Sequence, residues 1–229
     1  MSKVSCIMPA YNEAQRIGQV LDVVYKHPLL DEIIVIDDGS TDDTKKIVEK
    51  FKDVKLISNI KNSGKSISVY NGIKEAKNPF IFLLDTDLIG LTAENITALI
   101  NPVLSGETEI SISVRRISAF WDKFYKIYGM DFFSGERVIP VKILDKYLHE
   151  IPKLPGFGLE TFFNKIIAKH NYPIKVVFWD NVRSPLKYKK RGAIQGFIGD
   201  FLMVRNILKT ANLLQLLKLF IKMRKLIVY

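Results

Sequence analysis

An α/β domain built on a parallel sheet is what this sequence predicts, on three observations. Short continuous apolar runs recur through its first part, helical patterns of about ten to fourteen residues separate them, and each run ends in polar, turn-forming residues. The runs Val4–Met8, Ile33–Ile36, Val54–Ile57 and Phe80–Leu84 are rich in β-branched or aromatic residues and do not alternate. Strands covered on both faces of a parallel sheet read this way. After the first run, Asn12 can cap a helix, with Gln15 three residues on and Ile17, Val20, Leu21 and Val24 at core spacing. Ser40 or Thr41 can cap the second helix and Ser63 the third. A helix over Thr92–Leu104 leads to a strand at Glu109–Val114, and strand alternating with helix calls for right-handed crossovers. Beyond residue 115 come an aromatic-rich loop or helix (Phe120–Phe133), a helix at Val141–Glu150, a helix near 158–170 and a strand at Ile174–Trp179. After Pro185 a basic segment leads into two apolar-basic helical stretches. The expected organisation is one domain over 1–182, in halves 1–114 and 115–182, followed by a basic amphipathic tail over 183–229.

Composition narrows the class. Of 229 residues 48% are hydrophobic and 25% charged, enough for a compact core and too apolar for a disordered chain. No self-similar period runs along the chain, which excludes a solenoid. The single cysteine, Cys6, cannot form an internal disulfide, and His27, His149 and His170 lack metal-ligand spacing. The opening apolar run has no signal-peptide pattern, and no uncharged stretch reaches the ~18 residues of a spanning helix. A reducing, cytoplasmic setting is expected. Charge is uneven: eleven of the 34 Lys and Arg residues, but one of the 24 acids (Asp200), lie at or beyond Arg183, so this end carries the whole net charge of +10. Such a tail calls for an anionic partner.

Ligands of open parallel sheets bind at the carboxyl ends of the strands. Here those ends read Pro9-Ala10-Tyr11-Asn12-Glu13, Asp37-Asp38-Gly39-Ser40, Asn62-Ser63-Gly64-Lys65 and Asp85-Thr86-Asp87. Each alone is ordinary turn chemistry, whereas four on one edge point to a shared ligand site. Asp85 and Asp87, two apart in an extended chain, face one side and can converge on a hard divalent cation such as Mg²⁺ or Mn²⁺; the bland alternative is a pair of solvated turn aspartates. Gly64-Lys65-Ser66 ends like a P-loop, but Asn59 stands where its first glycine belongs, and no G-x-G-x-x-G occurs. Lys65 reads either as a cation for phosphate or base, or as a solvated lysine at a helix start.

Together, Cys-Ile-Met-Pro-Ala-Tyr-Asn-Glu (6–13), Ile-Val-Ile-Asp-Asp-Gly-Ser-Thr-Asp (34–42), Asn-x-Gly-Lys (62–65) and Leu-Leu-Asp-Thr-Asp (83–87) resemble family 2 glycosyltransferases of the GT-A fold. The order and spacing match over roughly the first 110 residues. Within the family the chain is most similar to the small enzymes related to dolichyl- or polyprenyl-phosphate sugar synthases. The resemblance implies a nucleotide-sugar-binding half over 1–114 and an acceptor half over 115–182. It implies that Pro9, Ala10, Tyr11 and Glu13 line the nucleoside, that Asp38 contacts the base, and that Gly64 and Lys65 belong to the donor site. Asp85 and Asp87 match the two acids of a D-x-D element that holds Mg²⁺ or Mn²⁺ on the donor diphosphate, with Asp87 also a catalytic position. Thr86 replaces the common alanine between them, a change expected to be of little consequence. Arg183 with Lys189 or Lys190 has the spacing of a late phosphate-contacting pair. By the same analogy Glu160, in Pro-Gly-Phe-Gly-Leu-Glu-Thr, is the candidate base, although an acid at a helix start also serves capping. Arg115-Arg116 and Ser134-Gly135-Glu136-Arg137 would form the acceptor-side loop, placing Arg115 and Arg137 near acceptor or phosphate; the alternative is a surface segment specific to the fold.

The expected activity is metal-dependent, inverting transfer from a UDP- or GDP-sugar to a polyprenyl phosphate or other membrane lipid. A small soluble acceptor of the phosphoglycerate kind is the enzymatic alternative. A nucleic-acid-binding role is disfavoured, because the tail interleaves Lys with Leu and Ile rather than with stacking aromatics. Ile194, Phe197, Ile198, Phe201 and Leu202 form one apolar helical stripe and Leu213, Leu216, Leu217 and Phe220 a second, backed by Gln215, Lys218, Lys222 and Lys225. Such helices are expected to lie on an anionic membrane surface, on the cytoplasmic face; the alternative is packing on the domain or on a second subunit.

Overall fold

A computed structural model describes residues 4–115, 132, 134–155, 158–185 and 213–228. Four parallel strands, β1 (Val4–Ala10), β2 (Glu32–Asp37), β3 (Val54–Ser58) and β4 (Phe80–Leu83), alternate with α1 (Ile17–Val24), α2 (Thr44–Val48) and α3 (Lys65–Glu75). Then follow α4 (Ala93–Leu104), β5 (Ile110–Arg115), β6 (Arg137–Pro140), α5 (Val141–Leu144), a 3₁₀ segment (Asp145–Lys153), α6 (Leu159–His170), β7 (Ile174–Trp179) and α7 (Leu213–Lys225). The sheet order is β3-β2-β1-β4-β6-β5-β7. β6 is antiparallel to β4 and β5, while β5 and β7 run parallel. The carboxyl ends of β1, β2, β3, β4, β5 and β7 and the amino end of β6 therefore share one edge.

β1, β2 and β4 are buried along almost their whole length, as their unbroken apolar runs require, whereas β3 at the sheet edge is only partly covered. The sheet is sandwiched between two apolar clusters. One gathers α1 and α4 on one face; the other gathers α3, α6 and α7 on the opposite face. α3 crosses the sheet at Gly72, where a Cβ would lie within 2.7 Å of Ile36 Cδ1 and closer still to Ile7 Cγ2. Gly72→Ala is expected to lower stability by about 1–3 kcal/mol through overpacking, read as a shifted denaturant midpoint at unchanged slope.

Several local expectations change. The strand β6 has no counterpart in the sequence reading. Its four residues begin with a charge and end in proline, and only the gap between β4 and β5 makes them a strand. The helix expected over Val141–Glu150 is α5 followed by the 3₁₀ segment, with Pro152 near its end. Asn12, Ser40 and Ser63 do not cap: the N-caps of α1, α2 and α3 are Arg16, Asp43 and Gly64, none with a side-chain bond. Asn12 and Ser40 instead tie two loops together, Thr41 N–H donating to Asn12 Oδ1 (2.8 Å) and Asn12 N–H to Ser40 Oγ (2.9 Å). Thr92, expected as the first residue of its helix, is instead the N-cap of α4, bonded reciprocally with Asn95.

The basic tail expected over 183–229 contains α7. α7 buries Leu216, Leu219, Phe220 and Met223 in the core it shares with α6, and Phe220 stacks on Phe132 at 6.5 Å between ring centroids. Beyond it Ile227 bridges Ile174 at the start of β7. Of the second expected stripe, Leu216 and Phe220 thus face the protein and Leu217 faces solvent, 49% exposed. The first stripe and the segment 116–131 lie outside the described residues.

Candidate active site

The polar strand ends meet on the common edge. The first contributor is the turn after β2. Asp38 is buried, and its Oδ1 accepts from Ser63 N–H (2.9 Å) and Asn59 Nδ2 (2.8 Å), its Oδ2 from Gly64 N–H (2.8 Å). Asn59 also reaches Ser68 Oγ (3.3 Å) and accepts from Asn71 Nδ2 (3.1 Å). Asp38 therefore fixes the loop that delivers Lys65, a role the sequence did not reveal; one lone pair of Oδ2 is left for a further donor. Asn59, noted in the sequence only for what it excludes, is the hub of this loop.

β1 and β4 end side by side. Thr86 is buried and donates its hydroxyl to the Pro9 carbonyl (3.2 Å), tying the two strand ends in a way alanine could not, so its presence has a structural consequence after all. Asp38 N–H donates to Ala10 O (2.8 Å), while Tyr11 is exposed beside them. Glu13 accepts from Arg16 at 3.4 Å.

Lys65, at the start of α3, reaches across to both carboxylates of the far side: its Nζ lies 2.8 Å from Asp85 Oδ1 and 3.1 Å from Glu160 Oε1. Burial alone would lower the Lys65 pKa, but the charges of Asp85 and Glu160 outweigh it and hold the ammonium above the usual lysine range. Gly135 faces this trio. A Cβ there would stand 2.9 Å from Lys65 Nζ and 3.1 Å from Asp85 Oδ2, so the absent side chain keeps the space over the Asp85 carboxylate open.

A second chain of contacts reaches Asp87. Ser184 Oγ donates to Asp87 Oδ1 (3.3 Å) and accepts from Arg115 Nη1 (2.5 Å), and Arg115 lies 3.6 Å from Glu136 Oε1. Glu136 is fully buried, its other oxygen accepting from Ser113 Oγ (3.0 Å) and Ser134 Oγ (2.5 Å). Its charge beside Arg115 raises the guanidinium pKa against the opposing effect of burial. Arg183 is exposed next to Ser184 and joined to Ile89 by a pair of backbone hydrogen bonds (2.9 and 3.0 Å). Neither Glu136 nor Ser184 stood out in the sequence as a link to Asp87, since both act through residues far away in the chain. Lys189, Lys190 and Arg116 lie outside the described residues.

Arg137 differs from its expected place. It is fully buried rather than facing an acceptor, donating to Asn164 Oδ1 (3.3 Å), to Phe132 O (3.5 Å) and to Ser134 O, with its guanidinium over the Phe163 ring. Burial pulls its pKa down to about 10, against the carboxylates of Glu160, Glu136 and Asp85. It serves the fold by holding the chain before β6. Arg137→Ala is expected to cost about 3–5 kcal/mol, because carbonyls now bonded to it would be buried without a partner; thermal or denaturant melts would read the loss.

Two carboxylates on the loop after β4, cations around them and a fixed loop alongside thus lie together on this edge. The family model of glycosyl transferase family 2 matches residues 5–153, almost two thirds of the chain and every element that builds this edge up to Gly135 and beyond. The chain belongs to that family. The 4,4'-diaponeurosporenoate glycosyltransferase of Staphylococcus aureus is 31% identical over 142 residues, covering 59% of this chain and 38% of that protein, so the match spans about two fifths of the relative. Among solved structures, glucosyl-3-phosphoglycerate synthase of Mycobacterium tuberculosis with Mn²⁺, UDP and glucosyl-3-phosphoglycerate aligns at a TM-score of 0.68 and 20% identity, over 91% of this chain and 80% of that one. The same enzyme with Mg²⁺ and UDP aligns at 0.66 and 21% identity, over 91% and 79%. These likenesses establish the GT-A fold for this family 2 chain.

Proposed function

We propose that this family 2 chain moves a sugar from a nucleoside-diphosphate sugar, UDP- or GDP-linked, to a membrane-borne lipid acceptor such as a polyprenyl phosphate, with inversion. The observation that carries the transfer reading is the convergence of Lys65, Asp85 and Glu160, from three separate elements, beside the loop held by Asp38. Asp85 and Asp87 fit a hard divalent cation: both offer carboxylate oxygens, and Gly135 leaves the approach to Asp85 clear. Mg²⁺ or Mn²⁺ bound there supplies neutralisation of charge on the donor diphosphate. Lys65, Arg115 and Arg183 add fixed positive charge around the departing oxygens, where such charge stabilises the transition state. Pro9, Ala10, Tyr11 and Glu13 bound the nucleoside, and the remaining lone pair of Asp38 accepts from a base N–H. In the displacement, the acceptor oxygen forms a bond to the anomeric carbon as the bond to diphosphate breaks. A hydroxyl acceptor gives up its proton to Glu160; a phosphate acceptor is already ionised and needs no base.

A small soluble phosphorylated acceptor is the second reading. The synthase of similar fold, crystallised with phosphoglyceric acid, favours it for the same edge. One experiment addresses donor and acceptor in turn. Thermal shift with Mn²⁺ present is expected to show stabilisation by UDP or GDP and none by ADP, because bound ligand raises apparent stability. Acceptors are then compared with the donor so found: transfer to polyprenyl phosphate in detergent supports the first reading, and transfer to phosphoglycerate alone supports the second. Stabilisation by no nucleoside diphosphate, with or without metal, overturns both.

A further inference from the structure

We infer that the outer face of α7, with the neighbouring face of α6, is a docking surface for an anionic lipid bilayer. The inference rests for its purpose on the membrane-borne acceptor proposed above, but on different residues. α7 has three faces. One packs into the core through Leu216, Leu219, Phe220 and Met223. Moving round the helix at 100° per residue, the next face is Gln215, Lys222, Lys218 and Lys225, and the third is Leu214, Ile221 and Leu217, closed on its far side by Arg224. The third face is large and uncovered: Leu214 is 70% exposed, Leu217 49% and Ile221 50%. These are three of the few large apolar side chains left open in the described residues, and they stand on consecutive turns of one helix.

Charge specifies the occupant. Between α6 and α7 runs an open groove lined by Lys165 and Lys169 from one helix and Gln215, Lys218 and Lys222 from the other. No acidic residue occurs from Thr161 to Lys175 or from Leu213 to Val228. A row of lysines thus separates the lysine-lined groove from the apolar stripe, with Arg224 on the other side of the stripe. A protein partner with an apolar face would be served by the stripe alone. A bilayer with anionic headgroups matches both features at once, acyl chains against Leu214, Leu217 and Ile221 and headgroups against the flanking cations. Among the described residues no helix is long and apolar enough to cross a membrane, so the contact is one of lying on the surface. Docking α7 into the core through its first face holds the stripe outward without a folding step on the membrane.

The test uses the full chain, sedimented with vesicles of phosphatidylcholine alone or with phosphatidylserine added, while UDP and GDP binding with Mn²⁺ is followed by calorimetry in the same samples. The expected result is partition onto the anionic vesicles only, falling as salt is raised. Each lysine near an anionic surface contributes roughly a fivefold factor, so Lys218→Glu with Lys222→Glu is expected to lower partition by about 25-fold or more. Leu217→Gln with Ile221→Gln is expected to lower it as well, and all variants should keep the parent melting temperature and nucleotide affinity. A chain that ignores anionic vesicles overturns the inference, as do double variants that partition like the parent. Dimerisation abolished by Ile221→Gln, or binding of inorganic phosphate at matched ionic strength, without sedimentation in either case, also overturns it. Intact partition with no nucleotide binding leaves the surface standing and sinks the transfer reading instead. Turnover of polyprenyl phosphate in detergent without partition does the reverse.

Discussion

Asp87→Ala is expected to abolish sugar transfer, a loss of at least about a thousandfold, while the protein melts as the parent does. Asp87 is half-buried on the loop after β4, outside both apolar clusters, so its removal opens no cavity. Its carboxylate accepts from Ser184 Oγ, which Arg115 supports from behind. Removing it takes away one of two carboxylates that fit the cation and leaves Ser184 Oγ without this acceptor, while Arg115 keeps Glu136 beside it. Calorimetric titration of Mn²⁺ with nucleoside diphosphate should weaken in parallel with turnover. Asp87→Asn separates the two effects, since the amide oxygen still accepts from Ser184 but carries no charge; it should lose metal-dependent binding almost as completely. Transfer at the normal rate by Asp87→Ala, or parent activity unaffected by EDTA, would contradict the assignment.

The second large effect is conditional on the acceptor and therefore identifies it. Glu160→Gln keeps an oxygen for Lys65 Nζ, 3.1 Å away in the parent, but cannot take a proton. With a hydroxyl acceptor the rate should fall by about 10² to 10⁴, the usual contribution of a general base. With a phosphate acceptor the same change should be nearly silent in kcat. Glu160→Ala is a different perturbation: it leaves Lys65 with Asp85 as its remaining carboxylate of the pair, so donor KM should change even where kcat does not. Measuring kcat and KM for both variants with a polyprenyl phosphate and a hydroxyl acceptor separates proton transfer from the placing of Lys65. A large kcat loss in Glu160→Gln with a proven phosphate acceptor, or silence with a proven hydroxyl acceptor, contradicts the role given to Glu160.

How much of this was legible beforehand depends on the distance over which each feature is encoded. The strands β1, β2, β3, β4, β5 and β7 are readable because short runs rich in apolar, β-branched residues are a contiguous signal. β6 was not, since Arg137-Val-Ile-Pro has no strand pattern of its own and pairs only where β4 and β5 leave a place for it. The loops are legible as loops, but their hydrogen-bond partners are not. Asn12 and Ser40, good caps by type, bond each other's loops across 28 and 29 positions of sequence instead.

Residues close together in the chain specify the parallel half of the sheet, the polar edge at its strand ends and the paired aspartates of the loop after β4. Tertiary structure alone decided that Lys65 meets Glu160 across 95 positions and that Ser184 meets Asp87 across 97. It turned Arg137 inward and Thr86 into a tie between β1 and β4. It also chose which side of α7 is buried. Two apolar stripes on that helix are nearly equivalent in sequence, and the one that fits against α6 and Phe132 enters the core, leaving Leu214, Leu217 and Ile221 outside. Local periodicity specifies that a helix has an apolar face; only the shape and register of its neighbours specify which face they cover.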